Sequence, residues 1–483
     1  MIKKIKLKKW KFYLLLVLVV IFISGLFLAP YTINKQDGIL YYTKQLVPEK
    51  VKLFIKKNFL KKNLLQKEIK EIEKAYEKLI VDDYIINVSK ITKLKKSSKI
   101  LSKNNIEYSL KEIYLPFKSQ KGHGGKPGGY IEKYKDNLIV ASGDAKFISI
   151  NIDQLESDKI KINVIENNFK DIVKDKEFYL SGNEGLRDLK IIDDYIFLSY
   201  PKLINDRSLD KKCFTLGILF AKIDLNFLNF EEFFSLNKCP KNGSWGSTRS
   251  GGRIEGNKET IYLTVGDFGD MIPNQVSQDF ESLYGKIISI NRNDTNIFKI
   301  ISMGHRNQQG LLIDSKNKFL LSSEHGPNGG DEVNLINLNN KKIPNFGWPI
   351  SSYGEHYSST VRGHHDTNTY PDIAKYAPLH KSHKEFGFIE PLINWTPSIG
   401  VSQIVLDENH DKKRILVAAM GNNIPEGDRT VHEYIFSKEY KEKLDYDKIV
   451  IGERIRDMIF NKESKELLMI LENSPVLAIL KKE

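Results

Sequence analysis

Cysteine is nearly absent: Cys213 and Cys239 are the only two in 483 residues. With no C-x-x-C pair and no Cys/His spacing of the zinc type, a thiolate metal centre and a dithiol redox motif are excluded. The pair can form one disulfide in a chain kept outside the cytoplasm, or stay as two buried thiols. A G-x-S-x-G nucleophile elbow is also missing. The glycine-rich stretch at 121–129, KGHGGKPGG, lacks the spacing of a phosphate loop and the Ser or Thr that follows its lysine. There is no Arg-rich arm and no RNA-binding signature. The net charge of +13 is spread along a chain rich in lysine throughout, so it is a compositional bias and does not indicate a nucleic-acid partner.

Long apolar runs are also scarce, and the exception stands at the N-terminus. Lys3, Lys4, Lys6, Lys8, Lys9 and Lys11 precede FYLLLVLVVIFISGLFLA at 12–29, which carries no charge. Its length suits a membrane span, and the lysines place the bulk of the chain on the far side. No small-x-small cleavage site follows, so residues 1–30 are read as an uncleaved anchor. Residues 31–104 form a Lys-rich juxtamembrane stretch with few glycines. Leu65, Ile69, Ile72, Tyr76 and Leu79 are spaced as one helix face, and Pro48 can open a helix before them. This predicts a short helical stalk, either packed on its own domain or forming a two-heptad coiled coil.

From 105 to 483 the texture is different. Short β-rich runs alternate with Gly/Asn/Asp turns: NLIVAS (137–142), YIFLSY (195–200), TIYLTV (260–265), KFLLSS (318–323), RILVAA (414–419) and ELLMIL (466–471). The pattern predicts an all-β domain of many short antiparallel strands. It is too large for one sandwich, and a propeller reaches such a size by radial repetition.

The segment richest in chemical side chains reads MGHRNQQGL from Met303, SSEHGPNGGDEVNLI from Ser322 and NFGWP from Asn345. It is preceded by GGRIEGNKETIYLTVGDFGD (251–270) and followed by NWTPSIG (394–400) and GERIRDMI (452–459), with a looser piece, SGNEGLRDL, at 181–189. In this order the strings resemble the PQQ-dependent aldose sugar dehydrogenases, the glucose/sorbosone dehydrogenase family. The resemblance implies a six-bladed β-propeller over 105–483 that oxidises an aldose to its lactone in the periplasm or at the cell surface. Electrons would pass to a membrane or periplasmic acceptor. PQQ is a planar quinone with three carboxylates, which suits arginine forks, and its partner Ca2+ takes oxygen ligands. The resemblance places Arg306, Asn307, Trp395, Arg454 and Arg456 around PQQ, and the carbonyls of Gly326 and Pro327 on calcium. Glu332 matches a ligand of a second calcium, and Asp267 an acidic neighbour of the catalytic base.

The match breaks at the base itself. The family carries a histidine four residues before the arginine that corresponds to Arg253; this chain carries Arg249. A guanidinium stays protonated and cannot accept the proton that alcohol oxidation releases. Asp267 and His123 are the alternative bases, Arg249 is a candidate anion ligand, and a propeller that binds without turnover is the alternative function. A calcium-dependent lactonase is a third reading, weakened because the motifs match dehydrogenases. Phe346 also departs from the family, where tyrosine is common. The His364-His365-Asp366 run is a weaker metal candidate.

Overall fold

The computed structural model describes residues 91–117, 129–175, 178–179, 184–208, 211–240, 247–269, 276–316, 318–327, 329–354, 383–409 and 412–483. The apolar run at 12–29, the stripe at 65–79, His123 and the His364-His365-Asp366 run lie outside them. Among the described residues no helix is long and apolar enough to cross a membrane.

Six sheets make up the domain, each a blade, and their strands pair antiparallel except Phe227–Leu228, which runs parallel to Asn163–Asn167. The innermost strands are Gly129–Tyr134, Asp188–Ile192, Gly251–Gly256, Gln308–Asp314, Val401–Asn409 and Ile455–Asn461, and successive ones touch around a ring. The six runs singled out in the sequence fall in the second strand of each blade. That position explains their unbroken hydrophobicity. Alternate side chains of a strand point to opposite faces, and a strand between two neighbouring blades is buried on both. In the sixth blade Leu467, Met469 and Leu471 enter the core shared with the fifth, whereas Leu468 and Ile470 enter the core shared with the first. Six apolar clusters fill the six blade interfaces in this way.

The ring is closed by pairing the first described segment with the last. Ile455–Asn461, Glu466–Leu471 and Val476–Lys482 supply three strands of the sixth blade, and Glu107–Tyr114 supplies the next, paired from Tyr108↔Lys482 to Tyr114↔Val476. Ile91–Leu101 continues the same sheet outside it. The boundary expected at 105 is therefore too late, and the helical stretch cannot extend to 104. Alternation in 91–101 is masked by lysines at 93, 95, 96 and 99, which suit an outer strand with one face in water.

One arginine joins the inner strands across the channel. Arg253 Nη1 donates to Asp188 Oδ1 and Asp457 Oδ1, both at 2.8 Å. Its Nε donates to the Gln309 carbonyl at 2.6 Å and its Nη2 to the Arg456 carbonyl at 3.0 Å. Each partner lies within the first three residues of its strand, so the strand starts meet at one face of the ring. Cys213 and Cys239 form a disulfide that ties the long strand Lys211–Lys222 to the segment leading towards Arg249.

Candidate functional site

At the face where the innermost strands begin, the side chains named from sequence fall into two connected groups. The first is cationic. Arg454 Nε donates to Glu472 Oε2 at 2.6 Å, and Arg456 Nη2 donates to Glu472 Oε1. Two guanidiniums thus share one carboxylate and keep one positive charge in excess. Burial alone would raise the Glu472 pKa, but Arg456 and then Arg454 hold it below the ordinary glutamate value. Arg454 Nη1 also donates to the Met420 carbonyl at 2.5 Å. Arg456 Nη1 donates to Gln309 Oε1 at 3.3 Å, and Gln309 Nε2 donates to Asn307 Oδ1 at 2.9 Å. Gln309 therefore links the fourth blade to the sixth.

Arg306 is buried beside this group. Its Nη1 donates to the carbonyls of His325 at 3.0 Å and Gly326 at 2.6 Å, and its guanidinium lies 5.3 Å from the centre of the Trp348 ring. The loop it holds is anchored from below by Asp331. One oxygen of that carboxylate accepts from the Gly326 amide; the other accepts from the amides of Ile399, Gly400 and Val401. His325 Nε2 lies 2.6 Å from the Val401 carbonyl, and burial lowers its pKa, which keeps the imidazole neutral.

The second group occupies the position of the expected base. Arg249 Nε lies 3.3 Å from Asp267 Oδ1. Asp267 is fully buried, and it also accepts from Trp348 Nε1 at 2.8 Å and from the Gly269 amide at 3.0 Å. With three donors on it, this carboxylate holds Arg249 and is poorly placed to take a substrate proton. The backbone fixes the pair as well. Arg249 sits at φ 58°, a left-handed conformation that is costly for a side chain with a Cβ. Its carbonyl accepts from the Phe268 amide at 3.1 Å and packs so closely on Gly266 that no Cβ would fit there.

The remaining expected residues are engaged elsewhere. Glu332 Oε1 lies 3.0 Å from His383 Nε2, and Glu332 Oε2 accepts from Asn334 at 3.4 Å. Trp395 is half-buried, its ring 5.7 Å from that of His432 and 5.9 Å from that of Tyr434 in the core between the fourth and fifth blades. Phe346, buried, stacks on His305 at 5.0 Å, a contact that needs no hydroxyl. Pro327 is buried in its loop, close to Gly354. Sequence reasoning missed Glu472, Gln309, Asp331 and His383. Gln309 and Asp331 lie inside the quoted strings without a role that spacing could assign, Glu472 and His383 lie outside them, and each acts on a residue distant in the chain or on another blade.

The donor set suits an anion with several carboxylates: three arginine side chains and one asparagine converge, and the Arg454–Arg456 pair is only half neutralised. It is less suited to calcium. The Gly326 oxygen already carries a guanidinium, and no group of three His, Cys, Asp or Glu side chains among the described residues is arranged to hold a metal.

Residues 156–477 match the family model described as Glucose / Sorbosone dehydrogenase. The chain is 26% identical over 199 residues to the aldose sugar dehydrogenase YliI of Escherichia coli, covering 38% of this chain and 50% of that protein. It is 32% identical over 163 residues to quinoprotein glucose dehydrogenase B of Acinetobacter calcoaceticus, covering 28% and 31%. The chain thus spans half or less of the length of these relatives. In fold it is similar to the crystal structure of the soluble aldose sugar dehydrogenase of Escherichia coli, with a TM-score of 0.54 at 17% identity over 77% of this chain and 100% of that one. The matched family model covers most of the propeller, including both side-chain groups, and the chain belongs to the glucose/sorbosone dehydrogenase family.

Proposed function

We propose that this protein is a PQQ-dependent dehydrogenase that oxidises an aldose sugar to its lactone outside the cytoplasm, held there by the N-terminal apolar run and passing electrons to a membrane or periplasmic acceptor. The observation that carries the reading is the convergence of Arg306, Asn307, Arg454 and Arg456 at one face of the ring, with excess positive charge. Bound PQQ supplies an o-quinone that accepts the hydride leaving the anomeric carbon. The arginines would hold its carboxylates by forked, charge-assisted hydrogen bonds. Asn307, tied to Gln309, would set its orientation, and Trp395 would give an apolar wall. Gly326, Pro327 and Glu332 would serve calcium only if Arg306 and His383 shared or released the oxygens they now hold. The Cys213–Cys239 disulfide suits an oxidising compartment.

Arg249 favours a second reading: a propeller that keeps its cofactor cradle and has lost turnover. Neither Arg249, permanently charged, nor Asp267, buried and already engaged by Arg249, Trp348 and the Gly269 amide, is suited to accept the hydroxyl proton. The two readings are separated by supplying PQQ and calcium to the purified protein and following dye reduction across a panel of aldoses. Aldose-dependent reduction by the native protein supports the dehydrogenase. Saturable PQQ binding without turnover supports the second reading, and Arg249→His is then expected to raise the rate by roughly 100-fold or more, the usual contribution of a positioned general base. Absence of PQQ binding overturns both.

A further inference from the structure

Lys286 opens the third strand of the third blade, Lys286–Asn291, and its side chain is completely buried. Its Nζ donates to three backbone carbonyls: Val276 at 2.8 Å, Ser277 at 3.1 Å and Tyr284 at 2.8 Å. All three belong to the loop between the second and third strands of that blade. Carbonyl oxygens converging on one positive centre are the donor set of a hard cation. Here the centre is an ammonium, which has three N–H groups for three acceptors. A neutral amine would leave one carbonyl unmatched in a site without water access, a cost comparable to a lost buried hydrogen bond. Burial pushes this group down to about 7 and the nearby Asp279 carboxylate opposes that shift; only the cation has a donor for each of the three carbonyls.

The loop held in this way is in direct contact with the functional face. The Ser277 carbonyl that binds Lys286 also accepts from the Gly304 amide at 3.0 Å, and Ser277 Oγ donates to the His305 carbonyl at 2.8 Å. Gln278 bonds the Asn345 side chain and the Trp348 carbonyl. Those two segments carry Arg306 and the Trp348 indole that donates to Asp267. Gly285, at φ 65°, lies so close to the Ser277 side chain that any Cβ would collide with it.

We propose that Lys286 is a tethered cation that does the work of a bound metal ion in loop 276–284, and that it is the positioning residue for the backbone beneath Arg306 and Trp348. The proposal does not depend on which ligand the face binds.

Its test is chemical rescue. Lys286→Ala removes the equivalent of a propylammonium group. At pH 6 its melting temperature is expected to fall by about 5–10 °C, the order set by leaving several buried carbonyls unsatisfied in a domain of this size. Hydrogen-exchange protection should be lost across 276–285 and 304–306. Added propylammonium should restore both, whereas tetramethylammonium, which has the charge but no N–H, should not. If Lys286→Ala is recovered only as aggregate, refolding yield with the two amines gives the same comparison. Lys286→Met keeps volume without charge and is expected to melt as low as Lys286→Ala. A Lys286→Met protein that melts within a degree of the native chain overturns the proposal. So does a propylammonium effect no larger than that of tetramethylammonium.

Discussion

Two arginine clusters stand on the same face of this propeller and are wired differently. Arg454 and Arg456 share Glu472 of their own blade and keep a net positive charge, with their guanidiniums also held by the Met420 carbonyl of the fifth blade and Gln309 of the fourth. Arg249 is ion-paired with a fully buried carboxylate, on a backbone held in a left-handed turn. The first arrangement is preorganised and still electrostatically open to an anion. The second is closed on itself. On the proposed reading, ligand capture and proton transfer belong to separate groups, and a chain can keep one while changing the other.

The largest test of that contrast removes the open cluster. Arg454→Met combined with Arg456→Met is expected to lower PQQ affinity by roughly 10²–10⁴-fold, since each charge-assisted hydrogen bond contributes about 1.5–3 kcal/mol. Titration of PQQ against the variant measures it, and an unchanged affinity would place the ligand elsewhere. Breaking the closed cluster should act on folding. Asp267→Ala leaves Arg249 buried beside no carboxylate, and a loss of about 3–5 kcal/mol is expected, read by denaturant unfolding. The double variant Arg249→Leu with Asp267→Leu should regain most of that loss. If Asp267→Ala is neutral, the pair does not hold this turn.

The smallest effect concerns pH. Glu472 has a folded pKa below its ordinary value, so its stabilisation is present above the unfolded pKa and is lost as pH falls through the folded one. The stability difference between the native chain and Glu472→Gln, on the order of 1.5–3 kcal/mol for a hydrogen-bonded charge, should stay constant from pH 7 down to about 4.5 and shrink only below it. A difference that collapses between pH 7 and 5 would show that the arginines do not depress Glu472.

The parts legible from sequence share a physical reason. The second strand of each blade is packed on both faces, so it reads as an unbroken apolar run, and all six such runs were visible. The outer strand Ile91–Leu101, which Lys159–Lys161 covers only along its first three residues, carries four lysines and reads as a polar stretch. The arginine, asparagine and glycine-loop residues were legible because they lie in long continuous strings. Glu472, Gln309 and Lys286 were not. Their roles come from contacts that neither periodicity nor spacing encodes, such as the bridge from Gln309 to Arg456, 147 residues apart. Lys286 is a further case: a lysine at a strand start reads as solvated, and only the fold shows it enclosed by three carbonyls.

The central claim is that the open cluster still binds the family's anionic cofactor although the base position has changed. Equilibrium titration of the native protein with PQQ in the presence of calcium, followed by the change in absorbance of the quinone, tests it most directly. Saturable one-to-one binding that is lost in the Arg454→Met, Arg456→Met protein and retained in Arg249→His is the result this account predicts; no saturable binding to the native protein, or binding indifferent to the two arginines, would contradict it.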